Sequence, residues 1–336
     1  MIMRLGKRDG PLARVGRPGT LLLTIGLGCT VVFAFSPVQP AESHPSRILA
    51  FVTNTGSDTV TVYDTRLEEV RATVPVGDAP VAAAVAPDGN RAYVANALSN
   101  DVSVINTATL KVVATIPVGR VPFGVVAVPD RVYVANHGSD TVTVIDADKG
   151  RPVATIPAGP LPHTLAASPD GTQVFLTNNG GRSLSVIDVR TNKIIASHRT
   201  GLFPHGVAAP GRAGHVYVAN TGSHSVTVVA PGAEPVTVPV GRTPTGVGAT
   251  PFSEWVYVAN MRDNTVSVVH APTARVTATI PVGRRPEGVA VEPGGDRVYV
   301  TNTASDTMSV IDAQDNKVIA TVPVGEEPEG VAVAPR

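Results

Sequence analysis

The amino-acid sequence predicts an all-β fold, a seven-bladed β-propeller with four antiparallel strands in each blade. The first observation is a repeated segment in which an aliphatic or aromatic run ends in an asparagine. Its seven copies end at Asn54, Asn96, Asn136, Asn178, Asn220, Asn260 and Asn302. Successive asparagines are 40 or 42 residues apart, a fixed period of the length that one four-stranded blade requires. The second observation is that each copy contains four short β-branched or alternating runs separated by turn signals.

The third copy shows the four predicted strands in order. It reads VYVAN, TVTVID, PVATIP and HTLAAS between Val132 and Ser168, without helical periodicity. The GSD and SPDG segments supply Gly, Ser and Asp, which tolerate turn dihedral angles, and a proline sets the chain before the last strand. Radial repetition of such sheets leaves few exposed strand edges, so a closed ring of blades is expected.

Several segments of the repeat resemble the YVTN family of β-propeller repeats. They are YVAN at Tyr257, TVSV at Thr265, KVVATIPVG at Lys111 and PEGVAV at Pro286. The resemblance covers residues 47–336 and implies a strand order, from the channel outward, of GVAV, YVAN, TVSV and VATIPVG. It also implies that the C-terminal strand, residues 329–334, completes the blade begun by residues 49–54 and so closes the ring.

The composition is that of a folded β protein, because 43% of the residues are hydrophobic and 16% are charged. The chain has 27 basic and 27 acidic residues, so its formal net charge is zero. A nucleic-acid partner is therefore not expected, because such partners select basic surfaces. We expect a monomer whose partner is another protein or a small molecule.

Residues 1–46 precede the repeats and have the pattern of a secretory signal. Five basic residues lie within the first 17 positions, before the apolar run Leu21–Ser36. That run has 16 residues, fewer than the roughly 20 that a spanning helix needs, and three prolines follow it by residue 45. We expect cleavage between residues 36 and 44, which also removes Cys29, the only cysteine. The mature chain is then secreted or extracytoplasmic and has no membrane span.

The residue after the proline that opens each innermost strand is predicted to face the mouth of the central channel. In ring order these residues are Val81, Phe123, His163, His205, Thr245, Glu287 and Glu329. Equivalent positions on neighbouring inner strands converge, so two imidazoles and two carboxylates are expected at one site. Imidazole and carboxylate are ligands of Zn²⁺ and comparable divalent ions, and either group can act as a general base.

Three interpretations of this mouth remain open. The candidate ligand-binding residues are His163, His205, Glu287, Glu329, Phe123, Thr245 and Arg285, and the first four are also candidate ligands for a divalent metal ion. The protein is then a binding module for a partner or small ligand, or a metal-dependent lyase or lactonase. Enzymes of the gluconolactonase and streptogramin lyase families have such a site at the mouth of a propeller, but none of their motifs can be matched here. In the third interpretation, the residues are merely half-solvated polar strand starts.

Neighbouring loops give the mouth two chemically different sides. The side of the histidines carries Leu161, Leu202 and Phe203. The other side carries Arg242, Arg284, Arg285, Glu326 and Glu327. His137 and His224, in the loops after the second strands, are interpreted as turn residues. The chain contains no GxSxG, HExxH, CxxC or P-loop motif, so the chemistries that depend on those motifs are not expected.

Overall fold

The structure of the chain, a computed structural model, describes residues 48–211, 214–252 and 254–334. The predicted signal segment, residues 1–46, lies outside the described residues. Within those ranges the chain forms 28 strands and one 3₁₀ turn, Ala271–Thr273. The first fourteen strands are β1 Leu49–Asn54, β2 Thr59–Asp64, β3 Glu69–Pro75, β4 Pro80–Val85, β5 Arg91–Asn96, β6 Asp101–Asn106, β7 Lys111–Pro117, β8 Pro122–Val128, β9 Arg131–Asn136, β10 Thr141–Asp146, β11 Arg151–Pro157, β12 Pro162–Ala167, β13 Gln173–Asn178 and β14 Ser183–Asp188. The second fourteen are β15 Lys193–Arg199, β16 Pro204–Ala208, β17 Val216–Asn220, β18 Ser225–Val229, β19 Val236–Pro239, β20 Pro244–Ala249, β21 Trp255–Asn260, β22 Thr265–His270, β23 Arg275–Pro281, β24 Pro286–Val291, β25 Arg297–Asn302, β26 Thr307–Asp312, β27 Lys317–Pro323 and β28 Pro328–Val333.

The strands form seven antiparallel sheets of four strands, which are the blades of a propeller. Blades 2 to 7 each consist of four consecutive strands, from β4–β7 in blade 2 to β24–β27 in blade 7. The first strand of each of these sets lies innermost and contacts the inner strands of both neighbouring blades around a central channel. The predicted seven-bladed propeller is therefore confirmed. No helix among the described residues is long and apolar enough to cross a membrane.

Blade 1 is assembled from both ends of the propeller sequence and has the strand order β28-β1-β2-β3. Strand β28 pairs with β1 in antiparallel register, with Ala50 opposite Val333. The loop before β28 is held by a hydrogen bond from the Gly325 N–H to Asn54 Oδ1, at 3.1 Å. The predicted closure of the ring by the C-terminal strand is confirmed, and it depends on hydrogen bonds and packing alone.

The middle strands of a blade are buried because neighbouring blades cover both faces of the sheet. Every residue of β1 is buried, whereas only Val74 is buried in the outermost strand β3. Strands of a sheet that is covered on both faces have nearly continuous apolar sequences, which explains the YVAN and TVSV segments. One apolar cluster, for example, joins Tyr93 of blade 2 to Val132 and Ile145 of blade 3. The hydrophobic core is thus divided among the contacts between blades.

A buried asparagine ends the second strand of every blade and packs against the glycine of the entering loop. In blades 1, 3 and 5 its Oδ1 also accepts the N–H of that glycine. In blade 3, Asn136 Nδ2 donates to the hydroxyls of Thr141 and Thr143, at 3.1 and 2.8 Å. Asn136 Oδ1 accepts the Gly119 N–H at 3.1 Å, and a Cβ at Gly119 would collide with the asparagine side chain. The repeated asparagine therefore joins the second strand, the third strand and the entering loop of its blade.

The residue before each inner-strand proline has a left-handed backbone, with φ between 49° and 56° in all seven blades. Positive φ is unfavourable for a β-branched residue such as Val121, so these loops need an external hydrogen bond. The N–H of Leu161 donates to Asp140 Oδ1 at 2.8 Å, and that of Thr243 donates to His224 Nδ1 at 3.1 Å. Here His224 replaces the acidic or amide acceptor of other blades, which confirms its interpretation as a turn residue.

Deleting residues 328–336 should destroy cooperative folding, because the deletion removes β28 and exposes an edge of β1. We expect the truncated chain to aggregate on size-exclusion chromatography and to lack a cooperative melting transition by circular dichroism. The matched control moves residues 328–334 ahead of Ile48 through a four-residue turn of the SPDG type, as between β12 and β13. This permuted chain should melt near the full-length temperature. Cooperative melting of the truncated chain at that temperature would contradict the role of β28.

Candidate functional site

Each inner strand begins with a proline, and in five blades the sequence is Pro-x-Gly. The glycine is required by a close approach between blades, because a Cβ at Gly206, Gly246 or Gly288 would collide with the inner strand of the next blade. Adjacent inner strands can therefore lie close together, and their x side chains become neighbours. This local geometry places the predicted residues around one mouth.

Six of the seven predicted mouth residues line a single cavity of about 220 Å³. They are Val81, Phe123, His163, His205, Glu287 and Glu329. Two residues farther along the strands, aliphatic side chains such as Val125, Leu165 and Val207 line the same cavity. They lie about 6–7 Å deeper in the channel, because a strand rises about 3.3 Å per residue. The cavity thus has polar and aromatic groups at its mouth and an apolar floor.

Thr245, the seventh predicted mouth residue, does not join this cavity. Its side chain is fully buried, and its hydroxyl lies 3.1 Å from the carbonyl oxygens of both Pro286 and Glu287, to which it donates. The short side chain turns toward the backbone of the next blade instead of the channel. Thr245 therefore holds the strand that carries Glu287 and is not available as a ligand contact.

The histidine side of the mouth is a cluster of aromatic rings. The ring centroid of His163 lies 4.1 Å from that of Phe123 and 4.0 Å from that of His205. The His137 ring meets His163 edge-on at 5.6 Å and approaches Phe123 at 5.7 Å. Four rings from blades 3, 4 and 5 thus form a continuous wall that offers both apolar faces and ring nitrogens.

The surroundings of His163 and His205 favour neutral imidazoles. Burial, followed by repulsion from His205 and His137, holds the pKa of His163 well below its ordinary value. Burial, with a smaller contribution from His137, lowers the pKa of His205 to about 4. His163 Nδ1 also lies 3.0 Å from the Thr164 hydroxyl, which orients the ring. At neutral pH both imidazoles can accept and donate hydrogen bonds without carrying charge.

The opposite side of the mouth carries two carboxyl groups from adjacent blades. Burial, reinforced by Glu329, raises the pKa of Glu287 to about 8, and the positive charge of Arg285 opposes this shift. Burial, reinforced by Glu327, raises the pKa of Glu329 to about 7, again against Arg285. Neither carboxyl has a hydrogen-bond or ion-pair partner within the described ranges. Near neutral pH this side therefore retains protons that exposed carboxylates would release.

Arg285 lies at the rim of the mouth and not inside it. The residue is exposed and occupies the left-handed position before Pro286. Val121, Leu161 and Phe203 occupy the equivalent exposed positions on the histidine side. The two chemically different sides predicted from the loops are therefore present at the rim as well as inside the cavity.

The four predicted metal ligands do not form a coordination group. Among the residues that the structure describes, no three or more His, Cys, Asp or Glu side chains are arranged to hold a metal ion. The His163 and His205 rings contact each other at an interplanar angle of 48°, an arrangement of ring against ring. Metal-binding imidazoles instead direct one nitrogen each at a common point.

His137 belongs to the mouth, although the sequence indicated only a turn residue. Its Nδ1 donates to the carbonyl oxygen of Pro162, at 3.3 Å, as the Thr55 hydroxyl does to Pro80 at 2.7 Å. The residue after the asparagine thus reaches the inner strand of the next blade in both cases. A large side chain at this position also contacts the mouth residue of that strand, and this spacing is the signal that identifies His137.

A larger cavity of about 960 Å³ lies between blades 4 and 5, away from the predicted site. It forms where the outermost strand β19 has four residues instead of the seven found in other blades. Phe175, Val216 and Pro235 are among its lining residues, and none of the predicted site residues contributes to it. The residues predicted from the sequence therefore converge at the channel mouth and not in this larger cavity, although Asp170, His198, His215 and Glu234 line the latter.

The fold and the mouth define a seven-bladed β-propeller with a titratable and partly apolar site at one end of its channel. Family models agree with this class in two separate parts of the chain. Residues 40–194 match a family described as "Lactonase, 7-bladed beta-propeller", and residues 215–335 match one described as "YNCE-like beta-propeller". No curated protein matches the chain.

Two solved structures show the same fold. Hydrazine synthase of Kuenenia stuttgartiensis superposes with a TM-score of 0.71 at 23% identity, covering 78% of this chain and 91% of that chain. A functionally unknown protein from Desulfotomaculum acetoxidans superposes with a TM-score of 0.71 at 15% identity, covering 85% of this chain and 99% of that chain. At these identities the likeness concerns the fold alone.

The stability of the ring should fall as the pH rises from about 6.5 through about 8. The folded state keeps protons on Glu287 and Glu329 that the unfolded chain has already released, since their pKa values are raised to about 8 and 7 from 4.5. Each carboxyl that still holds its proton in the folded state, when the unfolded chain has released it, lowers the stability by up to about 1.4 kcal/mol per pH unit. Urea unfolding at both ends of the range measures the decline.

The double variant Glu287→Gln/Glu329→Gln should not show this decline, whereas the exposed-site control Glu254→Gln should. Below about pH 6.5 the two histidines have the opposite effect on stability. The ring becomes less stable as the pH falls toward 4, because the histidines of the unfolded chain bind protons that the folded imidazoles, with their lowered pKa values, do not. A wild-type stability that stays constant from about pH 6.5 to about 8.5 would show that the two carboxyls are not buried as described.

Proposed function

We propose that this chain is a secreted, monomeric β-propeller of the YVTN-repeat type whose channel mouth binds a small organic ligand. The observation that carries the proposal is the convergence of Phe123, His163, His205, Glu287 and Glu329 on one cavity with an apolar floor. Small-molecule sites are usually concave and mostly apolar, with a few convergent polar groups that orient the ligand. The mouth has this form.

The chemistry of the mouth favours a binding role over a purely structural one. Burial disfavours the charged form of all four titratable groups, so their presence lowers the stability that an apolar mouth would have. Ring closure does not require them, because Val81 and Thr245 occupy the same strand position in blades 2 and 6. Strongly shifted groups in a cavity are characteristic of functional sites.

The dimensions of the mouth favour a small molecule over a protein segment. The cavity volume of about 220 Å³ is below the roughly 300–1,000 Å³ of sites for drug-sized ligands. A ligand of one ring or a short chain fits this volume. The exposed rim residues Val121, Leu161 and Phe203 then form the approach to the cavity, not the main contact surface.

The family match over residues 40–194 favours a second candidate, hydrolysis of a lactone at the same mouth. The matched part includes Phe123 and His163, while His205, Glu287 and Glu329 lie outside it. A neutral imidazole can take a proton from an attacking water, and a protonated carboxyl can give a proton to the alkoxide that leaves. The neutral histidines and raised glutamate pKa values support these two roles.

Ligand-observed NMR should detect binding of small compounds to the mouth. We expect at least one class among small organic cations, anions, neutral aromatics and lactones to bind the wild-type chain. The variant His163→Ala/His205→Ala should weaken that binding about tenfold, because it removes the aromatic wall and its ring nitrogens. His270→Ala, which changes a half-buried histidine away from the cavity, should bind as wild type does.

The same spectra separate binding from catalysis, because hydrolysis converts the lactone signals into those of a hydroxy acid. Lactone hydrolysis above the spontaneous rate that is lost in Glu287→Gln would support the second candidate function. Repeating the measurement with added Zn²⁺ or Ca²⁺ tests whether this hydrolysis depends on a metal ion. Variants are compared only when their melting temperatures show that the ring is folded. If every compound class binds the wild type and the double histidine variant equally, the proposed site is wrong.

The proposal of secretion rests on the basic and apolar pattern of residues 1–46. Expression of the full chain in an exporting bacterial host should give a mature N-terminus between Pro37 and His44. Intact-mass measurement of the protein recovered outside the cytoplasm checks this expectation. Replacing three residues of the apolar run with aspartate should retain the precursor inside the cell. A soluble cytoplasmic protein that keeps Met1 would contradict the proposal.

A further inference from the structure

We infer that the mouth is built for a small organic cation, whose ammonium group lies between Glu287 and Glu329 while its apolar body contacts Phe123, His163 and His205. This inference rests on the proposed function and names the ligand class of that site. It follows from three features of the mouth: an acidic pair without partners, an uncharged aromatic wall opposite it, and an apolar floor.

The half-buried acidic pair lacks the positive partner that offsets the cost of withdrawing carboxylates from water. Glu287 and Glu329 lie at equivalent positions of adjacent inner strands and both line the cavity. No hydrogen bond or ion pair satisfies either carboxyl in the described part of the chain. Burying a carboxylate without a partner is costly, so the pair keeps protons until a cation replaces them. An ammonium group between the two carboxyls supplies that cation and its hydrogen bonds.

The other charged groups near the pair lie at the rim. Arg285 lowers the pKa of both carboxyls, Glu327 raises that of Glu329, and both rim residues are exposed. Their charges are therefore screened by solvent and ions more strongly than those inside the cavity. An anionic ligand would have to approach both Glu287 and Glu329, and Arg285 at the rim offers it only a solvated partner. The interior of the mouth therefore favours positive charge.

The opposite wall accepts an organic cation without repelling it. The His163 ring lies between those of Phe123 and His205, with centroid distances of 4.1 and 4.0 Å, and the two imidazoles are neutral because burial lowers their pKa values. Aromatic faces attract a nearby cation and pack well against an apolar ring. Protonated imidazoles would repel an ammonium group, so the lowered pKa values of the two histidines favour this ligand.

The floor of the cavity adds a requirement for an apolar body. Val125, Leu165 and Val207 lie two residues farther along the inner strands than the aromatic wall, and they line the cavity with aliphatic side chains. A bare inorganic cation leaves this surface in contact with water, whereas an aryl or alkyl amine covers it. The inference therefore specifies an amphipathic monocation, and benzylamine is a suitable probe.

The test compares benzylamine with benzyl alcohol and benzoate, which share its ring and differ in charge. Dissociation constants are measured by ligand-observed NMR on the full ring between about pH 6 and about pH 8. Benzylamine should bind more tightly than either analogue, and its affinity should rise about tenfold with pH, because binding displaces protons from the acidic pair. Glu287→Gln/Glu329→Gln should abolish the pH dependence and weaken binding at least about tenfold, while Glu254→Gln should change neither.

The outcomes distinguish this inference from the proposed function. If benzyl alcohol binds as tightly as benzylamine, or if benzoate binds best and its affinity falls with rising pH, the cation is the wrong class but the mouth remains a ligand site. If none of the three probes binds and the wider compound classes also fail, both proposals fall. Should the double glutamine variant not fold, the pH dependence of benzylamine binding to the wild type decides alone, and a constant affinity overturns the inference.

Discussion

The buried asparagine at the end of each second strand is the contact on which the channel mouth depends. In blade 3 its amide bonds to two threonine hydroxyls of the third strand and to the N–H of Gly119 in the entering loop. In every blade the asparagine packs against the glycine of the entering loop, and the proline and the first channel-facing residue follow this loop. Glycine after that residue then allows neighbouring inner strands to approach closely. The position of the mouth residue is set by the backbone, whatever its side chain.

Because the backbone fixes the position of each mouth residue whatever its side chain, a nearly regular ring can carry chemically different residues around its mouth. Blades 3 to 5 contribute Phe123, His163 and His205, whereas blades 7 and 1 contribute Glu287 and Glu329. Burial moves the pKa values of the two groups in opposite directions, and in both cases it favours the neutral form. The mouth therefore carries less charge near neutral pH than four exposed titratable side chains would. The charge of the mouth therefore depends on the charge of the ligand that enters the cavity.

Most of the fold was predictable from the period of the repeat, because one copy per blade and closure by the last strand follow from a fixed period. The neighbours around the mouth were also predictable, since equivalent strand positions face one channel. The burial of Thr245 was not predictable, because its hydroxyl donates to the Glu287 carbonyl oxygen of the next blade, and the spacing between blades sets the distance between these two atoms. His137 was missed for the same reason, as its ring crosses a blade boundary. Metal coordination depends on ring orientation, which residue spacing does not specify.

Closure of the ring by β28 also determines when the channel mouth becomes complete. Glu329 lies on β28, so the acidic pair forms only when this strand has docked against β1. A chain in which β28 has not docked therefore has the aromatic wall but not the pair. A ligand that contacts Glu287 and Glu329 at once bridges the two strands on either side of the final joint, and by mass action it favours the closed ring. Occupancy of the site would then report that the molecule has finished folding.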